Sequence, residues 1–122
     1  MATIDVLLVE PLKRPRMVTI PQALSAMQNL VGGAITATYP WEDEVALVCC
    51  DDAIALGYEP NRMISPGRVI FGTFFIAGLG TEEFISLAPE LQEKFRQEFA
   101  HPDWFVRGDD GRLVCFRWAK EM

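Results

Sequence analysis

The sequence predicts a single α+β domain: a mixed, mostly antiparallel sheet with one N-terminal helix, a C-terminal helix pair and a terminal β-hairpin. Three observations carry this. Short strand-like runs come in pairs joined by turns, as in hairpins. Only one or two helices fall between successive strands, whereas a parallel sheet needs such a crossover for nearly every strand. A final glycine- and aspartate-rich turn, Gly108-Asp109-Asp110-Gly111, sits between two β-prone segments.

Ile4 to Val9 is β-branched and apolar on both sides beyond Asp5, which reads as a central strand ended by Glu10-Pro11. Leu12 to Pro15 turns the chain, and Arg16 to Ile20 forms a second, antiparallel strand. Pro21 suits the first position of a helix, where its missing N–H costs nothing. Leu24, Met27 and Val31 then recur at helical spacing until Gly32-Gly33 supplies a left-handed stop, so the helix is placed at Pro21 to Val31. Ala34 to Tyr39 alternates, as a strand with one wetted face does. After an acidic turn from Pro40 to Glu44, Val45 to Cys50 is continuously apolar and reads as a strand buried on both faces.

Asp51 to Met63, with Gly57, Pro60 and Asn61, reads as an irregular excursion. Val69 to Ala77 is the fifth strand, and Gly72 inside it marks a bulge or a close backbone approach. Thr81 caps a short helix through Ser86, and Pro89 opens a longer one bearing Leu91, Phe95 and Phe99, with Glu90 and Lys94 at favourable spacing. Trp104 to Arg107 and Arg112 to Trp118 complete the terminal hairpin, with Val114, Phe116 and Trp118 on one face. No repeat or linker divides the chain, so residues 1–122 are taken as one domain.

Composition narrows the function classes. The 122 residues are 50% hydrophobic and 23% charged, which suits a packed core rather than disorder. The net charge of −6 lacks the basic footprint of phosphate-backbone binders. Lys13, Arg14 and Arg16 form a local basic cluster, and nucleic-acid binding through them is the third-ranked reading. Cys49, Cys50 and Cys115 are odd in number, with two adjacent and facing opposite ways on a strand, which fits reduced thiols in a cytoplasmic protein. The longest apolar stretch, Val69 to Gly80, falls short of the roughly 20 residues a bilayer requires.

No constellation identifies a catalytic, metal or cofactor site. Gly78 and Gly80 lack the third glycine of a dinucleotide loop, and Glu82 and Glu83 put negative charge where a pyrophosphate would sit. Glu42, Asp43 and Glu44 lack calcium-loop spacing and read as a solvated hairpin tip beside Trp41. His101 is the only histidine, which leaves a cysteine or serine nucleophile a single candidate base. Asn61-Arg62, placed in a loop beside Tyr39, is the candidate binding pair: an arginine there forks a carboxylate or phosphate. The ordinary alternative pairs Arg62 with an internal acid and has Asn61 close a turn.

Val9-Glu10-Pro11, Leu30-Val31-Gly32-Gly33, Tyr39-Pro40-Trp41-Glu42-Asp43, Val45-Ala46-Leu47-Val48-Cys49, Pro60-Asn61-Arg62, Gly72-Thr73-Phe74-Phe75-Ile76 and Phe84-Ile85-Ser86-Leu87 occur in this order. In order and spacing the chain resembles DUF3846, a bacterial and phage domain-of-unknown-function family found on mobile elements of Gram-positive gut bacteria. The resemblance covers Ile4 to Phe99 and implies a compact cytoplasmic accessory protein of mobile DNA, with no reaction attached. Ala88 departs from the family pattern, where a serine or threonine caps the following helix; losing that cap costs about 1 kcal/mol. The tail after Pro102 looks particular to this chain. The leading expectation is therefore a non-enzymatic module that binds another protein, and the runner-up is a small-ligand or nucleotide site at Asn61-Arg62 and Tyr39.

Overall fold

A computed structural model describes residues 2–117. The expected place of Trp118 on the terminal hairpin lies outside the described residues. The elements run β1 (Thr3–Val9), β2 (Arg16–Pro21), α1 (Leu24–Val31), β3 (Ile35–Thr38), β4 (Val45–Cys50), β5 (Pro60–Ser65), β6 (Arg68–Phe71), β7 (Phe74–Leu79), β8 (Phe84–Ile85), α2 (Pro89–Glu98), β9 (Trp104–Arg107) and β10 (Leu113–Phe116). The fold is α+β. The main sheet is antiparallel throughout, in the order β2-β1-β7-β4-β3, with β8 beside the end of β7; β5-β6 and β9-β10 are separate two-stranded ribbons.

The central strands are apolar on both faces because both faces are covered. Side chains alternate across a strand, so Val6, Leu8, Ala46, Val48, Phe75 and Ala77 meet Met27 and Val31 of α1. Their neighbours Leu7, Val9, Val45, Leu47, Phe74 and Ile76 meet Leu87, Phe95 and Phe99 around α2. All six residues of β4 are buried, as its unbroken apolar run predicts. Each Val, Leu, Ile, Phe or Met among them contributes about 1.5–3 kcal/mol when it is fully buried.

Local chemistry explains where the elements stop. Gly32 takes the left-handed conformation at the end of α1, at φ 80°, and its N–H bonds the Gln28 carbonyl. Pro21 does not open that helix: it ends β2 opposite Thr3, and α1 begins at Leu24 after Ala23, which offers no side-chain cap. Ala88 likewise leaves α2 without a side-chain cap, while Pro89 and Glu90 favour its first turn. Lys94 pairs across space with Asp43 rather than with Glu90, fastening the β3–β4 turn to α2. In the same turn Trp41 packs on Phe95, with ring centroids 4.6 Å apart.

Three further expectations are corrected. Thr81 to Ser86 is not a helix, so α2 stands without a helical companion; Phe84–Ile85 is strand β8. The glycines dictate this: a Cβ on Gly78 would lie 2.5 Å from the Ser86 carbonyl oxygen, and one on Gly80 2.7 Å from that of Glu83. The chain therefore folds tightly back on β7, and the Ser86 Oγ and Leu87 N–H then tie it to the backbone of Asp5. Val69 to Ala77 is two strands rather than one, parted at Gly72, whose φ is 78° and whose Cα lies so close to Tyr58 that a Cβ would sit 3.0 Å from its ring. The expected irregular stretch from Asp51 to Met63 is irregular only as far as Glu59, because Pro60 onward pairs with β6 as strand β5.

Candidate functional site

Asn61 and Arg62 sit on a strand, not in a loop, and both are enclosed, at 0% and 1% exposure. Adjacent residues of a regular strand face opposite ways. Here the pairing with β6 shifts register between Pro60 and Arg62, and the irregularity turns both side chains inward. The Asn61 amide donates to the carbonyls of Val9 and Gly72, at 2.9 and 2.8 Å, which fixes the β5–β6 ribbon to the end of the main sheet.

Arg62 extends the same network. Its Nη1 donates to Asn61 Oδ1 at 2.8 Å, and its Nη2 donates to the carbonyls of Lys13 at 2.7 Å and Phe99 at 3.0 Å. Phe99 stands at the C-terminal end of α2, where helix carbonyls lack partners and a cation is favoured. One guanidinium thus joins the β1–β2 turn, β5 and the end of α2. Among the described residues no carboxylate forms an ion pair with it, and its buried Nε has no hydrogen-bond partner. Burial pulls the Arg62 guanidinium below its ordinary value, and Asp103 works in the opposite direction.

A second clamp follows directly. Asp103, 3% exposed, accepts from the Met63 N–H at 2.9 Å and from Arg117 Nε and Nη2 at 3.0 and 2.9 Å. Arg117 also donates to the Met63 carbonyl. The hydrogen bond to Asp103 holds the Arg117 guanidinium above its ordinary value. Because Asp103 precedes β9 and Arg117 follows β10, both ends of the terminal ribbon are held against β5. Beside the two clamps lies a cleft of about 310 Å³ walled by Trp41, Arg62, Phe99, His101, Asp103 and Arg117.

The ribbon itself has two unlike faces. Trp104 stands opposite Phe116 and Val106 opposite Val114, and directly opposed residues share a face. These four side chains are 54%, 56%, 55% and 46% exposed. Phe105, Leu113 and Cys115 on the reverse are half-buried. The sequence reading found Val114 and Phe116 but missed Trp104 and Val106, although pairing the strands about Gly108–Gly111 places all four together.

Tyr39 is not brought to Asn61 and Arg62. It lines a separate groove of about 560 Å³ with Leu24, Met27, Ile35, Leu79 and Phe84, and Glu82 and Glu83 stand at its rim. In the basic cluster, Lys13 and Arg16 both pair with Glu10, at 3.7 and 3.4 Å. Cys49 and Cys50 enter opposite cores, as their adjacency on a strand predicts. Among the described residues no three His, Cys, Asp or Glu side chains gather as metal ligands, and no helix is long and apolar enough to cross a membrane.

Replacing Arg62 with Ala leaves the carbonyls of Lys13 and Phe99 and the Asn61 amide oxygen short of a donor. The expected cost is about 3–5 kcal/mol, read as a lower urea midpoint; an unchanged midpoint would show that the network contributes nothing to the fold. Burial raises the Cys49 thiol above its ordinary 9.0, the neighbouring Cys50 adds to this, and burial raises Cys115 as well. Above pH 9.0 the unfolded chain therefore releases thiol protons that the folded chain retains, and stability falls as pH rises through that region. Urea midpoints at pH 8 and pH 10 measure the fall, and a Cys49→Ala/Cys115→Ser variant flattens it.

No curated protein and no solved structure matches the chain. The family model described as "Domain of unknown function (DUF3846)" matches residues 4–100, which takes in the main sheet, both helices, Asn61 and Arg62, and ends before the terminal ribbon. The chain belongs to the DUF3846 family.

Proposed function

We propose that this chain is a cytoplasmic, non-enzymatic protein-interaction module carried on mobile genetic elements or phage, and that the outer face of the β9–β10 ribbon is its docking surface. The observation that carries the reading is the row of Trp104, Val106, Val114 and Phe116, each about half exposed on one face. Side chains of this size present on the order of 350 Å² of apolar surface, the size of the largest patch on a typical monomer, which is often functional. The ribbon also has an interface composition. Residues 104–117 hold one tryptophan, two phenylalanines and three arginines and contain neither lysine nor glutamate. At the ribbon's tip Arg112 pairs with Asp110 at 3.6 Å and Arg107, opposite Leu113 on the reverse face, donates to the Gly111 carbonyl, so the apolar row itself is what a partner would meet. The mobile-element setting follows from the family resemblance alone.

The cleft beside Arg62 supports a second reading, a small-ligand or nucleotide site. Against it, Arg62 is almost wholly enclosed and spends its donors on the chain's own carbonyls. The nucleic-acid reading is weaker again, because the one carboxylate of Glu10 pairs with both Lys13 and Arg16 and offsets one of their two charges.

The test uses the purified chain and a Trp104→Ser/Phe116→Ser variant as parallel baits in host lysate, with cross-links mapped by mass spectrometry. The wild-type chain is expected to retain a stoichiometric partner cross-linked within residues 104–117, and the variant to lose it. Equal capture by both baits would overturn the proposal. So would turnover of a nucleotide or nucleic acid by the purified chain that a single substitution abolishes.

A further inference from the structure

The main sheet has two edges, and one of them is guarded. Along β2, the register with β1 and the bond from the Gln22 N–H to the Ala2 carbonyl turn the backbone groups of Met17, Thr19 and Pro21 outward. That edge begins at charged Arg16 and ends at Pro21, which has no N–H to offer, and both features oppose a further strand. The other edge is β3. The Asp51 N–H bonds the Ala34 carbonyl, so Thr36 and Thr38 complete the ladder with β4, while the N–H and C=O groups of Ile35 and Ala37 point away from it. Ile35 to Thr38 holds no charge, no proline and no bulge, and among the described residues no strand pairs with its outer side. Arg68 reaches the Thr38 Oγ1 at 2.5 Å on the face opposite Ile35 and Ala37, a bond that uses none of these edge groups.

The groove beside Tyr39 opens along this edge. Ile35 and Ala37 turn their side chains toward the α1 side of the sheet, and there Ile35 and Tyr39 wall the groove with Leu24 and Met27 of α1. Leu24 and Tyr39 are each 58% exposed. The rim carries Glu82 and Glu83. Among the described residues neither makes an ion pair, and no lysine or arginine lines the groove. A strand added to β3 lies about 4.8 Å from it and sets every second side chain on the face of the residue opposite. Apolar side chains in that row suit the walls, and a lysine or arginine among them supplies the charge that the rim lacks.

We infer that the open edge of β3 and the Tyr39 groove together take up an extended segment of another protein, added as a further strand, whose alternate residues are apolar and include lysine or arginine. Backbone pairing with Ile35 and Ala37 supplies attraction that any extended chain can use. The groove and the Glu82–Glu83 rim supply the selection. A second copy does not meet this description through its own open edge, because Ile35 to Thr38 contains no basic residue and each copy carries a net charge of −6. The site lies within residues 4–100, the span matched to the family, and is separate from the ribbon that follows them.

A displayed library of random peptides of about ten residues, long enough to span β3, tests this by selection on the purified chain. The recovered peptides are expected to alternate apolar residues and to be enriched in lysine and arginine. Glu82→Lys/Glu83→Lys reverses the exposed rim, and Ala37→Pro removes an edge N–H that the β4 ladder does not use. Each variant should bind the recovered peptides at least about tenfold more weakly, while the Trp104→Ser/Phe116→Ser chain binds them like the wild type. Circular dichroism checks each fold, and the rim reversal decides the matter by itself if the proline variant does not fold. Amide hydrogen exchange locates the contact: Ile35 and Ala37 should exchange freely in the chain alone and become protected in the complex. The inference is overturned if no peptide is recovered, if the recovered peptides are not basic or bind the rim-reversed chain as tightly, or if the two amides stay unprotected. Protection of the same amides in the concentrated chain alone also overturns it, because a second copy then holds the edge. Each of these failures leaves the result of the Trp104→Ser/Phe116→Ser baits standing, so the two readings fail separately.

Discussion

The arrangement depends on one enclosed guanidinium. Arg62 gathers the carbonyls of Lys13 and Phe99 and the Asn61 amide oxygen, and so binds a turn, a strand and a helix end that share no regular hydrogen bonding. Burying a cation costs several kcal/mol, and it persists only where geometry and hydrogen bonds are good. Arg62 meets that condition through neutral oxygens, one of them at the negative end of α2. The neighbouring residue carries the effect outward: the Met63 backbone receives Asp103 and Arg117, and through them the terminal ribbon is fixed to the domain.

This division of labour separates scaffold from surface. The two-faced sheet between α1 and α2 and the Asn61–Arg62 network all lie within the family's matched residues, 4–100. The ribbon lies beyond them. A two-stranded hairpin is marginal on its own in water, and this one is held by its base and by its half-buried reverse face. Its outer face makes no comparable contribution to the domain, which leaves Trp104 and Phe116 available for recognition.

Much of the fold was legible because its signals are local. The unbroken apolar run of Val45 to Cys50 predicts a strand covered on both faces, Gly32 predicts the end of α1, and the adjacent cysteines predict their separation into two cores. The misses are long-range. Thr81 to Ser86 has helix-like capping chemistry, but Gly78 and Gly80 permit a close return that only contact with β7 rewards. Asn61-Arg62 carries loop-type residues, and nothing local announces that a register shift will bury both against Val9, Lys13 and Phe99. The distance between Tyr39 and Arg62 is likewise a property of sheet order. Half of the ribbon's apolar face was readable from Val114 and Phe116, and its other half required the cross-strand register.

The central claim is that the ribbon's outer face serves recognition rather than folding. The most direct measurement is the denaturation free energy of the Trp104→Ser/Phe116→Ser chain in dilute solution, where self-association is absent. A surface that the domain does not use predicts a change within about 0.5 kcal/mol of the wild type. A loss of about 3 kcal/mol or more, the scale of deleting aromatic rings from a core, would show that these side chains are part of the domain's own packing and would contradict the account.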